Sequence, residues 1–201
     1  MIWLHDKPLI LASKSQARQR LLVEAGLDFV SIPAGVDERV LNLKHENSPI
    51  PEQATRLARA KALAVSHAHP DHWVIGSDQM LDCEGRIFHQ ISNRMDALAQ
   101  LQALNGRQHR LTSALCLAFG GQIEAENHDV ADLTMKHWAT TDLEIYLDEA
   151  GETVFGSVGC YHIEGIGVRL FAQIEGSRST IMGLPIDQLL RLLQQKGLIA
   201  V

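Results

Sequence analysis

Two hydroxyls and a guanidinium fall within six residues of one another in Ser13-Lys14-Ser15-Gln16-Ala17-Arg18, where the chain changes hydrophobic period. Residues 9 to 12, Leu-Ile-Leu-Ala, are a short apolar run, and Ala17, Leu21, Leu22 and Ala25 then recur at helical spacing until Gly26 offers a stop. The pattern predicts strand, tight loop, helix. Ser13 with Gln16 fits a capping box and Ser15 fits an N-cap, so helix capping accounts for both serines. It leaves Arg18 unexplained, because a cation in the first turn opposes the helix dipole unless an anion sits there. Free backbone N–H groups, two hydroxyls and a guanidinium at one helix N-terminus make a phosphate site.

Further candidates are charged residues in apolar settings. A helix expected from about Gln53 to Ser66 has its apolar face at Ala54, Leu57, Ala58, Ala64 and Val65, and Lys61 falls in the middle of that face. A snorkelling stem is the ordinary explanation. An ammonium at the centre of a stripe instead calls for an anionic partner, since a buried charge without one is costly. On that basis Lys61→Met is expected to leave the ligand-free fold unchanged or stabilise it. Trp73-Val74-Ile75-Gly76-Ser77-Asp78-Gln79 reads as a buried strand ending in Gly, Ser and Asp, so Asp78 is expected where the chain leaves the sheet, the end at which α/β folds bind ligands. A turn-forming aspartate is the plain alternative. Asp37 and Glu38 follow a strand expected over 28–33, and adjacent acids in a loop are ordinarily solvated. His67, His69 and His72 lie at a helix C-terminus, with no cysteine or further acid at ligand spacing to complete a zinc site.

The elements that must position these groups follow in order. Residues 42–52, polar and containing Pro49 and Pro51, are expected as a loop and a candidate lid. A helix over Met95 to Leu104 closes at Asn105-Gly106, and two strands over Arg107 to Phe119 and Gln122 to Thr134 flank Gly120-Gly121. Thr141-x-x-Glu144 reads as a capping box, and a last helix starts at Pro185 and stops at Gly197. A chain of 201 residues with 46% hydrophobic content can bury one sizeable core, and one domain over 1–201 is expected. A net charge of -6 argues against a nucleic-acid surface, so an anionic ligand must be held by a local cluster. Cys83, Cys116 and Cys160 are odd in number and widely spaced, which suits reduced thiols in a cytoplasmic protein. The N-terminus is too charged for a signal peptide, and no run of about 18 apolar residues suggests a membrane helix.

The Ser13-x-Ser15 loop with Arg18 resembles the N-terminal signature of the Maf family, nucleoside triphosphate pyrophosphatases with a similar Ser-x-Ser-Pro-Arg-Arg loop, although Gln16 and Ala17 replace its proline and first arginine. The resemblance continues through Val36-Asp37-Glu38, Lys61 in an Ala-rich helix, Gly76-Ser77-Asp78-Gln79, Arg107-x-His109-x-x-Thr112, and Gly183-Leu184-Pro185. It implies an α/β fold with a curved mixed sheet in two lobes, flanking helices and a central cleft. It also implies substrate-binding roles for Ser13, Ser15, Arg18, Lys61 and Gln79, metal binding by Glu38 and Asp78, and Asp78 as general base. The cofactor would be Mg²⁺ or Mn²⁺ and the partner a nucleoside triphosphate, with no nucleic acid or membrane; a homodimer is compatible with the sequence. Gly-Ser-Asp-Gln is similar to the branch acting on 7-methyl-GTP, for which Trp73, Trp138 and Tyr161 are candidate aromatic faces. Gln90 stands where the family carries a lysine, which leaves a catalytically weak nucleotide-binding regulator of septum formation as the alternative.

Overall fold

The computed structural model describes residues 2–37 and 48–200, in two compact units. The first comprises residues up to Gln79, Ser113–Asp129 and the segment from Gly183. Its centre is a sheet in which β2 (Leu9–Leu11) lies parallel to both β3 (Phe29–Ser31) and β4 (Val74–Cys83), followed by β6 (Gln108–Phe119) and β7 (Gln122–Met135). The expected strand, loop and helix at the N-terminus are β2, Ser13-Lys14 and α1 (Gln16–Glu24). Helix α1 ends as its sequence suggested, with Gly26 at a φ of 68° and Leu27 N–H donating to Leu22 O. The termini pair as β1 (Ile2–Trp3) and β9 (Ile199–Ala200), after α6 (Ile186–Gln195).

Helix α2 runs Ile50–Ala68, longer at both ends than its periodicity indicated. Pro51 lies in its first turn rather than in the preceding loop, where a missing N–H costs nothing. Ala62 is buried and Ala64 exposed, so the inward stripe is Ala54, Leu57, Ala58, Ala62 and Val65. Small residues dominate because the helix lies directly on β4. A Cβ at Gly76 would stand 2.0 Å from Ala58 O and 2.6 Å from Ala62 N.

Strand β4 is ten residues long, and this corrects the expected position of Asp78: the carboxylate sits in mid-strand, not where the chain leaves the sheet. Gly and Ser there mark close packing rather than a turn. Its first eight residues are buried apart from Gln79, which is half-buried, as befits a strand covered on both faces.

The second unit comprises Met80–Thr112 and Val130–Met182. Here β4, β6 and β7 continue, β5 (Arg86–Phe88) pairs with β4, and β8 (Phe171–Glu175) pairs with β7, both antiparallel. Helices α3 (Arg94–Leu104) and α4 (Thr140–Ala150) pack with Leu81, Leu111 and Leu133 into one apolar core. Helix α4 starts one residue before the expected capping box: Asp142 Oδ2 accepts from Ala139 N–H, so Thr141 and Glu144 do not form the cap. A short helix α5 (Arg178–Ile181) is capped by Ser177. His109 is buried in this unit, with Nε2 2.8 Å from Tyr161 Oη and Nδ1 meeting no partner among the described residues. Desolvation lowers its pKa to about 4, partly countered by the Asp132 carboxylate.

Two outcomes follow from this packing. Gly76→Ala must push backbone apart, and chemical denaturation should show a loss of at least the ~1–3 kcal/mol typical of overpacking. His109 has a folded pKa below its unfolded one, so the unfolded chain takes up the proton first as pH falls. His109 therefore removes about 3 kcal/mol of stability between pH 6.5 and 4 and has no effect above that window. Denaturation of His109→Gln should show a correspondingly shallower acid-side decline than wild type.

Candidate active site

The described residues expected to bind substrate or metal or to act as base, Ser13, Ser15, Arg18, Lys61, Asp78 and Gln79, all belong to the first unit. The Ser13–Arg18 loop resolves the capping question in favour of Ser15, whose Oγ accepts from Arg18 N–H at 3.5 Å as N-cap of α1. Ser13 holds the loop instead, its Oγ accepting from Ser15 N–H at 3.2 Å and from Arg18 Nη1 at 3.3 Å. Ser31 Oγ donates to Ser13 O at 2.6 Å and fixes the turn from β3. Arg18 also donates through Nε to Gly183 O at 2.8 Å. Two oxygens thus hold a guanidinium whose charge opposes the helix dipole.

Strand alternation divides β4 between two faces. Gly76 and Asp78 face α2, where Lys61 Nζ donates to Asp78 Oδ1 at 2.6 Å. The side chains are only 12% and 7% exposed, so the snorkelling alternative is excluded and Lys61 has its anion within the protein. Ser77 and Gln79 face the other way. Ser77 Oγ lies 2.8 Å from the carbonyl oxygens of both Ala114 and Gly183, and Gln79 Nε2 donates to Ser113 Oγ at 3.0 Å. Gly183 O therefore contacts both Arg18 and Ser77. These contacts join Ser13, Ser15 and Arg18 with Gly183 and Ser77, and Lys61 with Asp78.

The arrangement offers a fixed cation and helix N–H groups for phosphate oxygens, and a carboxylate paired with a lysine amine. Glu38 lies outside the described residues; Asp37 is exposed. Among the described residues no three of His, Cys, Asp and Glu gather as a metal cage. Carboxylate oxygen at Asp78 is nonetheless the hard donor that Mg²⁺ takes, and Mg²⁺ is commonly held by one or two carboxylates plus substrate phosphates, so the donor chemistry fits.

The other sequence candidates lie elsewhere. Trp73, five residues before Asp78, packs on Phe119 with ring centroids 4.9 Å apart. Tyr161 and Trp138 belong to the second unit, Tyr161 stacked edge-on against Phe171 and Trp138 donating through Nε1 to Leu170 O. Gln90, exposed and also in that unit, donates to Gly156 O at 2.6 Å. His67 and His72 are bound to Leu63 O and Asp71 Oδ1. The three cysteines are free and buried, and burial pushes Cys116 and Cys160 up to about 12. Ser77 and Gly183 have no chemical signal in the sequence beyond their places in the Gly-Ser-Asp-Gln and Gly-Leu-Pro runs, and Ser113 has none.

A protein of Nitrobacter winogradskyi named nucleoside triphosphate pyrophosphatase is 43% identical over 200 residues, covering 100% of this chain and 99% of its own. One of the same name from Bradyrhizobium diazoefficiens is 45% identical with the same coverage. A solved HAM1 protein from Coxiella burnetii aligns with a TM-score of 0.47 and 14% identity, covering 94% of this chain and 98% of that one. The family model described as Maf-like protein matches residues 8–196, taking in the Ser13–Arg18 loop, α2, β4 and Gly183. By that match and by full-length identity above two-fifths, the chain belongs to the Maf-like protein family.

Proposed function

We propose that this chain is a nucleoside triphosphate pyrophosphatase, cleaving the α–β anhydride to give a nucleoside monophosphate and pyrophosphate. The observation that carries the proposal is the Lys61–Asp78 pair: a desolvated ion pair adds little net stability, so its retention in an apolar stripe calls for chemistry. The names of the full-length relatives support the same activity. In this scheme Ser13, Ser15, Arg18 and the N–H groups of α1 bind phosphate oxygens. Asp78 takes the proton of the attacking water, while Lys61 holds that carboxylate in one direction. Asp78 and Glu38 would hold Mg²⁺ or Mn²⁺, which when bound neutralises phosphate charge. Gln79, its amide anchored by Ser113, marks the finer assignment to 7-methyl-GTP that Gly76-Ser77-Asp78-Gln79 suggests.

Pyrophosphate release from 7-methyl-GTP, GTP, UTP and dTTP with Mg²⁺ tests the proposal, with the highest kcat/KM expected on 7-methyl-GTP. Preference for UTP or dTTP overturns the finer assignment. Nucleotide binding without release from any of them establishes the regulator that Gln90 favours. Asp78→Asn, nearly isosteric, should cost roughly 10²–10⁴-fold in kcat; near-wild-type turnover rules Asp78 out as base. The pair also reverses the sequence-based expectation for Lys61→Met. Removing one partner of a buried pair leaves the other charge in low dielectric, so thermal and chemical denaturation should show about 3–5 kcal/mol lost, not gained.

A further inference from the structure

The contacts of Gly183 are not accounted for by turn formation. It joins α5 to α6, at a φ of 96°. A turn needs glycine for that backbone angle alone. Here the surroundings impose a second requirement. A Cβ at 183 would stand 3.3 Å from Arg18 Nε, tight enough that the guanidinium must give by a few tenths of an ångström, and at ordinary contact distance, 3.4 and 3.5 Å, from Arg18 Nη2 and Gln79 Oε1. By contrast Gly197, at a φ of 68° after α6, has nothing within 4 Å of the same position. The carbonyl of Gly183 is the acceptor for Arg18 Nε and lies 2.8 Å from Ser77 Oγ. Leu184 is fully buried and precedes Pro185, whose ring narrows the backbone choices of Leu184 and so those of the peptide that carries the Gly183 carbonyl.

We propose that Gly183 is a positioning residue for the triphosphate: its carbonyl, held by Ser77, fixes the Arg18 guanidinium at Nε, and the missing Cβ leaves the guanidinium its place. The proposal rests on the pyrophosphatase function argued above for its substrate, but not for its anion. Ser13 Oγ at Nη1 and Gly183 O at Nε define the plane of the guanidinium, and an arginine so oriented meets phosphate without first losing side-chain freedom.

The test compares Gly183→Ala, Gly197→Ala and Ser77→Ala. Each is measured for KM and kcat on the best nucleotide of the panel, for melting temperature, and for affinity for inorganic tripolyphosphate by calorimetry. Gly183→Ala should raise KM and weaken tripolyphosphate by about tenfold or more, the scale of one hydrogen bond to a charged group, with kcat little changed. Gly197→Ala carries the strain of alanine at positive φ without the contacts, and should lower the melting temperature with KM and tripolyphosphate affinity intact. Ser77→Ala should weaken tripolyphosphate in the same direction as Gly183→Ala. If Gly183→Ala matches Gly197→Ala in all readouts, or loses kcat with KM unchanged, the proposal fails. Should Gly183→Ala not fold, wild-type tripolyphosphate affinity in Ser77→Ala overturns it. A wild-type protein that binds tripolyphosphate but releases pyrophosphate from no nucleotide defeats the enzymatic function and leaves the titration to decide the role of Gly183. Absence of tripolyphosphate binding in the wild type overturns the role outright.

Discussion

The ammonium of Lys61 and the carboxylate of Asp78 are both taken out of water, and either one alone would be strongly destabilising there. Their 2.6 Å contact requires the backbone of α2 to lie almost against β4, and that approach is possible because Gly76 carries no side chain where Ala58 and Ala62 pass. The alanines of the helix answer the same requirement from the other side. A larger residue at 58, 62 or 76 would separate the elements and pull apart two charges that need each other. The small residues of this region are thus part of the electrostatics, since they set the distance over which the charges act.

Much of this was legible from residue pattern. The strand, loop and helix around Ser13 and Arg18, the long hairpin at Gly120-Gly121 and the amphipathic last helix each follow from local periodicity with punctuation by Gly or Pro. Placing Lys61 on the buried stripe of its helix also succeeded, because 3.6-residue spacing fixes which face a side chain takes. The failures have physical causes. Gly76-Ser77-Asp78 looked like a strand end because those residues usually leave sheets, but here glycine serves an approach by α2 that only tertiary structure imposes. Ala64 and Ala62 were interchanged because alanine, weakly hydrophobic, scarcely marks a face.

The role of Gly183 is of another kind. It lies 165 residues from Arg18, and nothing local announces that its carbonyl is the acceptor for that guanidinium. In the sequence the glycine stands only within the Gly183-Leu184-Pro185 resemblance, and Pro185 alone marks the start of the last helix. The contact with Ser77 and Arg18 depends on the first unit being closed by the last segment of the chain.

The alternation of residues 76 to 79 between the two faces of β4 also bears on which changes the strand can absorb. Positions 76 and 78 answer to one helix and positions 77 and 79 to the opposite side, so the two sets can drift independently by point substitution: a new residue at 79 leaves the ion pair at 78 untouched. Length is a different matter. Deleting one residue before Asp78 would exchange the two faces, setting the carboxylate among the carbonyl oxygens of Ala114 and Gly183 and turning the amide of Gln79 toward Lys61. Point substitution and change of length thus have unlike consequences in this strand: the first alters one face, the second both.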